Sequence, residues 1–443
     1  MTDPTTHLIH HPYQAPAGFD APLPAVHKAS TVFFPNVAAM RTRDWKDKSG
    51  YTYGLHGTPT TFTLEERIAT LEHGKHCVLL PSGLAAVACA SMALLKAGDE
   101  VLIPDNAYGP NKALTEGELA GWGITHQYYD PMNVADLAAR ISERTRLVWL
   151  EAAGSITLEF PDLIEQVRLC RARGVTCVLD NTWGAGLAFN PFDLDGQGLG
   201  VDVSVHALTK YPSGGGDVLM GSVVTRDADL HRRILNTHMR LGWGVSGGDA
   251  ETVLRALPSI ALRYRAQDQA ARRLARWCAA QAQFAQVLHP ALPDSPGHAH
   301  WQQVCGAADA HGGGAAAGLF SVMVDARYSQ AQVDAFCDTL RLFKLGYSWG
   351  GPISLVVPYN LAGIRANGWP AQLARGTVVR FSTGLEDVAD LQADLAQALG
   401  RALPTVGPWP AAARRTPCRQ NLELRQALPS LPCAAHGQAR PAT

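Results

Sequence analysis

Lys210 stands in the run Ser204-Val-His-Ala-Leu-Thr-Lys210-Tyr-Pro-Ser-Gly-Gly-Gly216. Asp180, thirty positions earlier, closes the apolar run Val175-Thr-Cys-Val-Leu-Asp180. A lysine amine can form a Schiff base with an aldehyde. A carboxylate can keep a heteroaromatic ring nitrogen protonated, so that the ring accepts carbanion electrons. Those are the two groups that a pyridoxal phosphate site requires of its protein. An isolated lysine is more often a solvated surface cation, so the reading depends on what surrounds it.

Three other groups suit such a site. Pro81-Ser-Gly83-Leu84-Ala-Ala-Val-Ala88 lies between a strand-like and a helix-like stretch. There the free amides and positive end of a helix can face an anion, and Thr209 can add a hydroxyl to the same phosphate. Tyr108, in Asn106-Ala-Tyr-Gly109, follows an apolar run and can lay its ring on a flat cofactor at the carboxyl edge of a sheet. Arg380, in Val378-Val-Arg-Phe381, can grip a carboxylate through two parallel hydrogen bonds. Competing motifs fail: no Gly-x-x-x-x-Gly-Lys-[Ser/Thr] loop occurs, and Gly214–Gly216 completes no Gly-x-Gly-x-x-Gly fingerprint. His7, His10 and His11 lack ligand spacing. His289, Asp294, His298 and His300 are interrupted by Pro290, Pro293 and Pro296 and read as an irregular turn, so no metal is expected.

These groups need a scaffold, and the chain supplies an alternation of helical patterns with short apolar runs from about 62 to 225. The runs are Cys77–Leu80, Glu100–Ile103, Arg146–Leu150, Cys177–Leu179, Val201–Val205 and Gly221–Val224. That rhythm predicts an α/β fold with a mostly parallel sheet and ligands at the carboxyl ends of its strands. After Asp249 an Ala/Arg/Leu-rich segment to about Val287 predicts one helix or a helix pair. It leads into a smaller α+β unit with strands at Leu319–Val324 and Thr377–Phe381 and a closing helix Asp387–Leu399. The organisation expected is an arm over 1–60, a large domain over 61–250, a small domain over 251–400 and a disordered Pro/Ala/Arg-rich tail over 401–443. A formal charge of −1 offers no electrostatic case for nucleic acid or a membrane surface, which favours a small-molecule substrate. Nine cysteines without a Cys-x-x-Cys pair suit buried thiols in a reducing compartment. With no signal-like start and no long apolar run, the expected location is cytoplasmic.

The order Tyr53 … Gly83 … Tyr108 … Asp180 … Thr209-Lys210 … Ser348-Trp349-Gly-Gly … Arg380 resembles the Cys/Met-metabolism family of pyridoxal phosphate enzymes. So do Gly154-Ser-Ile-Thr-Leu-Glu159, Asp180-Asn-Thr-Trp-Gly-Ala185, His289-Pro-Ala-Leu-Pro293, Tyr347-Ser-Trp-Gly-Gly351 and Gly384-Leu-Glu-Asp387. The likeness spans about residues 5 to 400. It implies the pyridoxal phosphate-dependent transferase fold of the aspartate aminotransferase type, in a homotetramer of two close dimers with active sites at dimer interfaces. It also implies Lys210 as the Schiff-base lysine, Asp180 as partner of the ring nitrogen and Tyr108 as the stacking ring. Gly83, Leu84 and Thr209 would hold the phosphate. Arg380, Ser348 and Trp349 would hold the substrate, and Tyr53 would be lent by the neighbouring subunit. Trp349 favours the branch that eliminates a sulfur leaving group from Cβ, because γ-acting members more often read Ser-Leu-Gly-Gly there. The chain departs from the pattern at Leu55, where many members carry an arginine that reaches the neighbour's phosphate, leaving His56 or water to substitute.

Overall fold

A computed structural model describes residues 4–9, 17, 18, 21, 23–44, 46, 48–306 and 313–404. Its larger sheet holds β1 (His76–Leu80), β2 (Glu100–Pro104), β3 (Thr125–Tyr129), β4 (Thr145–Glu151), β5 (Thr176–Asp180), β6 (Val203–His206) and β7 (Gly221–Thr225). The spatial order is β1-β7-β6-β5-β4-β2-β3. β7 alone runs against the rest, pairing antiparallel with both β1 and β6. Strands covered by helices on both faces read as continuous apolar runs, and β2 and β7 are buried at every position. All six apolar runs expected as strands form strands. β3 was not foreseen: it lies at the sheet edge, most of its residues are partly exposed, and Thr-His-Gln-Tyr-Tyr has no apolar run to mark it.

The smaller sheet, in the order β10-β11-β12-β9-β8, comprises β8 (Phe284–Leu288), β9 (Leu319–Asp325), β10 (Lys344–Leu345), β11 (Leu355–Tyr359) and β12 (Gly376–Ser382). Helices Ile260–Ala279, Gln330–Thr339 and Val388–Ala402 share one apolar cluster with it. At its centre Phe381 stacks on Phe320 at 5.0 Å and meets Phe343 edge-on at 5.2 Å. The Ala/Arg-rich segment does form a helix pair, Gly247–Ala256 and Ile260–Ala279, but it ends earlier than expected, because Phe284–Leu288 is already strand. β8 pairs antiparallel with β9, with a register shift between Phe284 and Gln286.

In the arm, Tyr53 bridges Thr31, and the Gly54 amide donates to the Ser30 carbonyl at 2.8 Å. The two segments approach so closely that a Cβ on Gly54 would collide with the Ala29 carbonyl, which only glycine avoids. The arm is not uniformly extended: short helices form at Pro4–Ile9 and Val37–Arg41. The stretch expected as tail begins inside the closing helix, which includes Arg401 and Ala402, and residues 405–443 lie outside the described residues. Seven cysteines are buried as free thiols, and burial pushes those of Cys89 and Cys337 up to about 12. Cys418 and Cys433 lie outside the described residues. Among the described residues no helix is long and apolar enough to cross a membrane.

Candidate active site

The carboxyl ends of β4, β5 and β6, the helix after β1 and the loop before β7 enclose a cleft of about 880 Å³, counting its open mouth. Lys210 projects into it from that loop. Its ammonium group donates to Ser348 Oγ at 2.9 Å and lies 4.6 Å from the centre of the Trp349 ring. Burial, then the nearby Arg380 charge, lowers the lysine pKa to about 8 although Asp180 opposes this. A charged amine is disfavoured in such a place, so the neutral, nucleophilic form of Lys210 becomes accessible nearer neutral pH than that of an ordinary lysine.

The anion cup sits at one end. Helix Gly83–Leu94 is capped by Ser82, whose Oγ accepts from the Ala85 amide at 3.0 Å. The first-turn amides of Gly83 and Leu84 have no carbonyl one turn back to bond, and both residues line the cleft. Gly83 is required sterically: a Cβ there would lie 2.5 Å from Ala207 Cβ, pushing the helix away from the lysine loop. Thr209 also lines the cleft, but its hydroxyl donates to the Met220 carbonyl at 3.2 Å and accepts from the Met220 amide at 3.1 Å. Serving a phosphate would require that hydroxyl to leave the carbonyl. Lys210 is the single Lys or Arg among the lining residues. Charge compensation within this chain therefore rests on amides and the helix dipole.

Asp180 and Glu151 end adjacent strands and are cross-strand neighbours. Asp180 Oδ1 accepts from the Thr182 amide at 3.0 Å. Burial raises its pKa, while Thr182, His206 and Lys210 pull it back. Behind it Glu72, fully buried, pairs with His206 Nδ1 at 2.8 Å and accepts from Ser204 Oγ at 2.7 Å and Asn181 Nδ2 at 2.9 Å. Tyr108 lines the same cleft, and its amide donates to Glu151 Oε2 at 2.8 Å.

Arg380 enters from β12. It is 5% exposed, donates to the Ser155 carbonyl at 2.9 Å, and lies over the rings of Trp349 (5.1 Å) and Tyr359 (5.3 Å). No carboxylate among the described residues forms an ion pair with it. A buried guanidinium without a counter-ion beside a reactive lysine is suited to a substrate carboxylate. The structure thus gathers Gly83, Leu84, Tyr108, Asp180, Thr209, Lys210, Ser348, Trp349 and Arg380. Tyr53 is not among them: it is 48% exposed and caps the turn Gly54–His56, away from the cleft lining. Leu55 and His56 line a separate hollow of about 430 Å³ with Lys48 and His238. The sequence reading missed Glu151 and Thr182 as lining residues. Glu151 carries the same signal that exposed Asp180, an acid ending an apolar strand. The expected turn holds for residues 289–297 but not for His298 and His300, which open the helix His298–Cys305, with His298 Nδ1 2.8 Å from the Pro290 carbonyl. Among the described residues no group of three His, Cys, Asp or Glu is placed to hold a metal.

The model of the Cys/Met metabolism PLP-dependent enzymes matches residues 5–400. The chain belongs to that family. Pyridoxal phosphate is its cofactor, and the donor set fits: an unbonded helix N-terminus for the phosphate, a lysine of lowered pKa for the aldehyde, and a carboxylate without an ion-pair partner for the ring nitrogen. A putative cystathionine beta-lyase of Rhizobium johnstonii is 39% identical over 393 residues, 88% of this chain and 93% of the relative. An L-alanine/L-glutamate racemase of Wolbachia pipientis is 30% identical, over 85% of this chain and 92% of the relative. Among solved structures, a cystathionine gamma synthase from Xanthomonas oryzae, in complex with aminoacrylate and cysteine, superposes with a TM-score of 0.79. It is 28% identical, and the match covers 91% of this chain and 99% of that one. Relatives this similar to the chain are thus named for different reactions.

Proposed function

We propose that this family member is a carbon–sulfur β-lyase, cleaving L-cystathionine and water to homocysteine, pyruvate and ammonia in methionine biosynthesis, with cystine and cysteine as further substrates. The observation that carries this reading is the Trp349 indole, whose ring lies 4.6 Å from the Lys210 ammonium and 5.1 Å from the Arg380 guanidinium. An indole there narrows the space beside the carboxylate site. It leaves little room for the substrate rotation that a second proton removal, at Cβ, would demand.

When bound, the cofactor supplies the electron sink for charge left on Cα. The side chains do the rest. Arg380, with Ser348 and Trp349, holds the α-carboxylate and fixes which Cα bond faces the lysine. Lys210 Nζ, freed as a neutral amine, takes the α-proton, and its depressed pKa suits a general base near pH 8. Asp180 would keep the ring nitrogen positive, and Tyr108 would cover the ring. Tyr53 is assigned to the neighbouring subunit's site, which makes the working unit a dimer within a homotetramer. The test is the keto acid released from L-cystathionine by the purified, cofactor-loaded protein. Pyruvate with homocysteine is expected. 2-Oxobutyrate with cysteine would overturn the assignment in favour of the γ-acting branch. Racemisation of L-alanine with no keto acid from cystathionine would favour a racemase.

A further inference from the structure

Glu151 lines the cleft, yet the chemistry above gives it no task. It is 8% exposed and ends β4 directly beside Asp180, and it has no ion-pair partner among the described residues. The charged and titratable groups that face it are few. Asp180 lies on β5. Tyr108 comes from the loop after β2, and the buried Tyr129 ends β3. Arg365, from the loop after β11, is already held by the buried Glu159 at 2.8 and 2.9 Å. A buried carboxyl beside a second carboxyl, with no cation of its own, is expected to keep its proton. Of the two, Asp180 has the better claim to the negative charge: it accepts from Thr182 and faces Lys210, His206 and the cofactor's ring nitrogen. Glu151 receives only the Tyr108 amide, and burial followed by Asp180 lifts its pKa well above the usual carboxylate range.

That amide contact has its own consequence. Tyr108 is the N-terminal cap of the short helix Gly109–Leu114 and makes no side-chain capping bond; its carbonyl accepts from the Asn111 amide at 2.9 Å, and Glu151 Oε2 at 2.8 Å holds its amide. We propose that Glu151 is a positioning residue for the cofactor: an uncharged carboxyl that anchors the backbone of the stacking tyrosine and leaves the anionic role behind the ring to Asp180 alone. The inference rests on placing the cofactor between Tyr108 and Asp180.

Three variants of the cofactor-loaded enzyme test it, read by the pH midpoint of the bound cofactor's visible absorption change and by its dissociation constant. Glu151→Gln keeps an acceptor for the Tyr108 amide and mimics a protonated acid, so the midpoint should move by less than about 0.3 units. Glu151→Leu removes the acceptor and should weaken cofactor binding by about tenfold. Asp180→Asn, the control for placement, should move the midpoint by about a unit or more. A shift of about one unit in Glu151→Gln, with Asp180→Asn also shifted, would mean that Glu151 is ionised and would overturn the proposal. Unchanged affinity in Glu151→Leu would overturn the anchoring role. An unmoved midpoint in Asp180→Asn would reject the cofactor placement itself, and the inference with it.

Discussion

Lys210 is held where a charge is costly, and that sets the pH at which it works. Its ammonium form is penalised by burial first and by Arg380 second, which brings its pKa from 10.5 down to about 8. Below that value the amine is mostly protonated, so capture of pyridoxal phosphate by the cofactor-free protein should fall about tenfold per pH unit on the acid side of pH 8 and level off above it. Stopped-flow absorbance across pH 6 to 10 reads this directly; a flat profile from about pH 6 would rule out the lowered pKa. Lys210→Ala should lose both the visible absorption and turnover while keeping a native far-ultraviolet circular dichroism spectrum. Arg380→Ala should raise KM for cystathionine by about a hundredfold, as expected when a buried charge-assisted pair loses one partner. An unchanged KM would mean that the carboxylate is held elsewhere.

Elements bring these side chains together, and one buried knot joins three of them. Glu72, just past helix Pro59–Leu71, meets His206 and Ser204 of β6 and Asn181 beside the end of β5. The pKa of Glu72 lies below the usual carboxylate range, with His206 the largest favourable cause against the cost of burial. Its contribution to stability is therefore present at neutral pH and lost as pH falls through that depressed value. Glu72→Leu, which leaves His206 buried without its partner, should cost about 3–5 kcal/mol in equilibrium denaturation; a loss under about 1 kcal/mol would show the knot to be incidental. This knot was not legible in the sequence, since Glu72, Asn181 and His206 share no motif and meet only through the sheet. The strand ends at Asp180 and Lys210 were legible, because apolar runs with a polar stop announce a buried sheet and its functional edge. β3 and β8 were hidden, one by partial exposure at a sheet edge and the other by an Ala-rich stretch that continued the helical pattern towards it.

At the scale of the molecule the arm presents apolar side chains to solvent. Phe33 is 92% exposed, and Val37 and Met40 stand out beside it in the arm, while Tyr53 is exposed and does not line its own cleft. Those apolar side chains suit burial against a second copy, the arrangement proposed for sharing Tyr53 between subunits. Mixing two inactive variants after dissociation tests it. Tyr53→Ala and Lys210→Ala subunits should together recover about a quarter of wild-type turnover, because half the dimers are hybrids and each hybrid regains one intact site of two. No recovery would place Tyr53 in the site of its own chain. The buried cysteines bear on the whole enzyme in another way. If it liberates sulfhydryl products, any accessible thiolate or strained disulfide of its own would be drawn into exchange with them. Every cysteine among the described residues is instead buried. The described framework, residues 48–306 and 313–404 above all, is thereby insulated from the redox traffic of such a product.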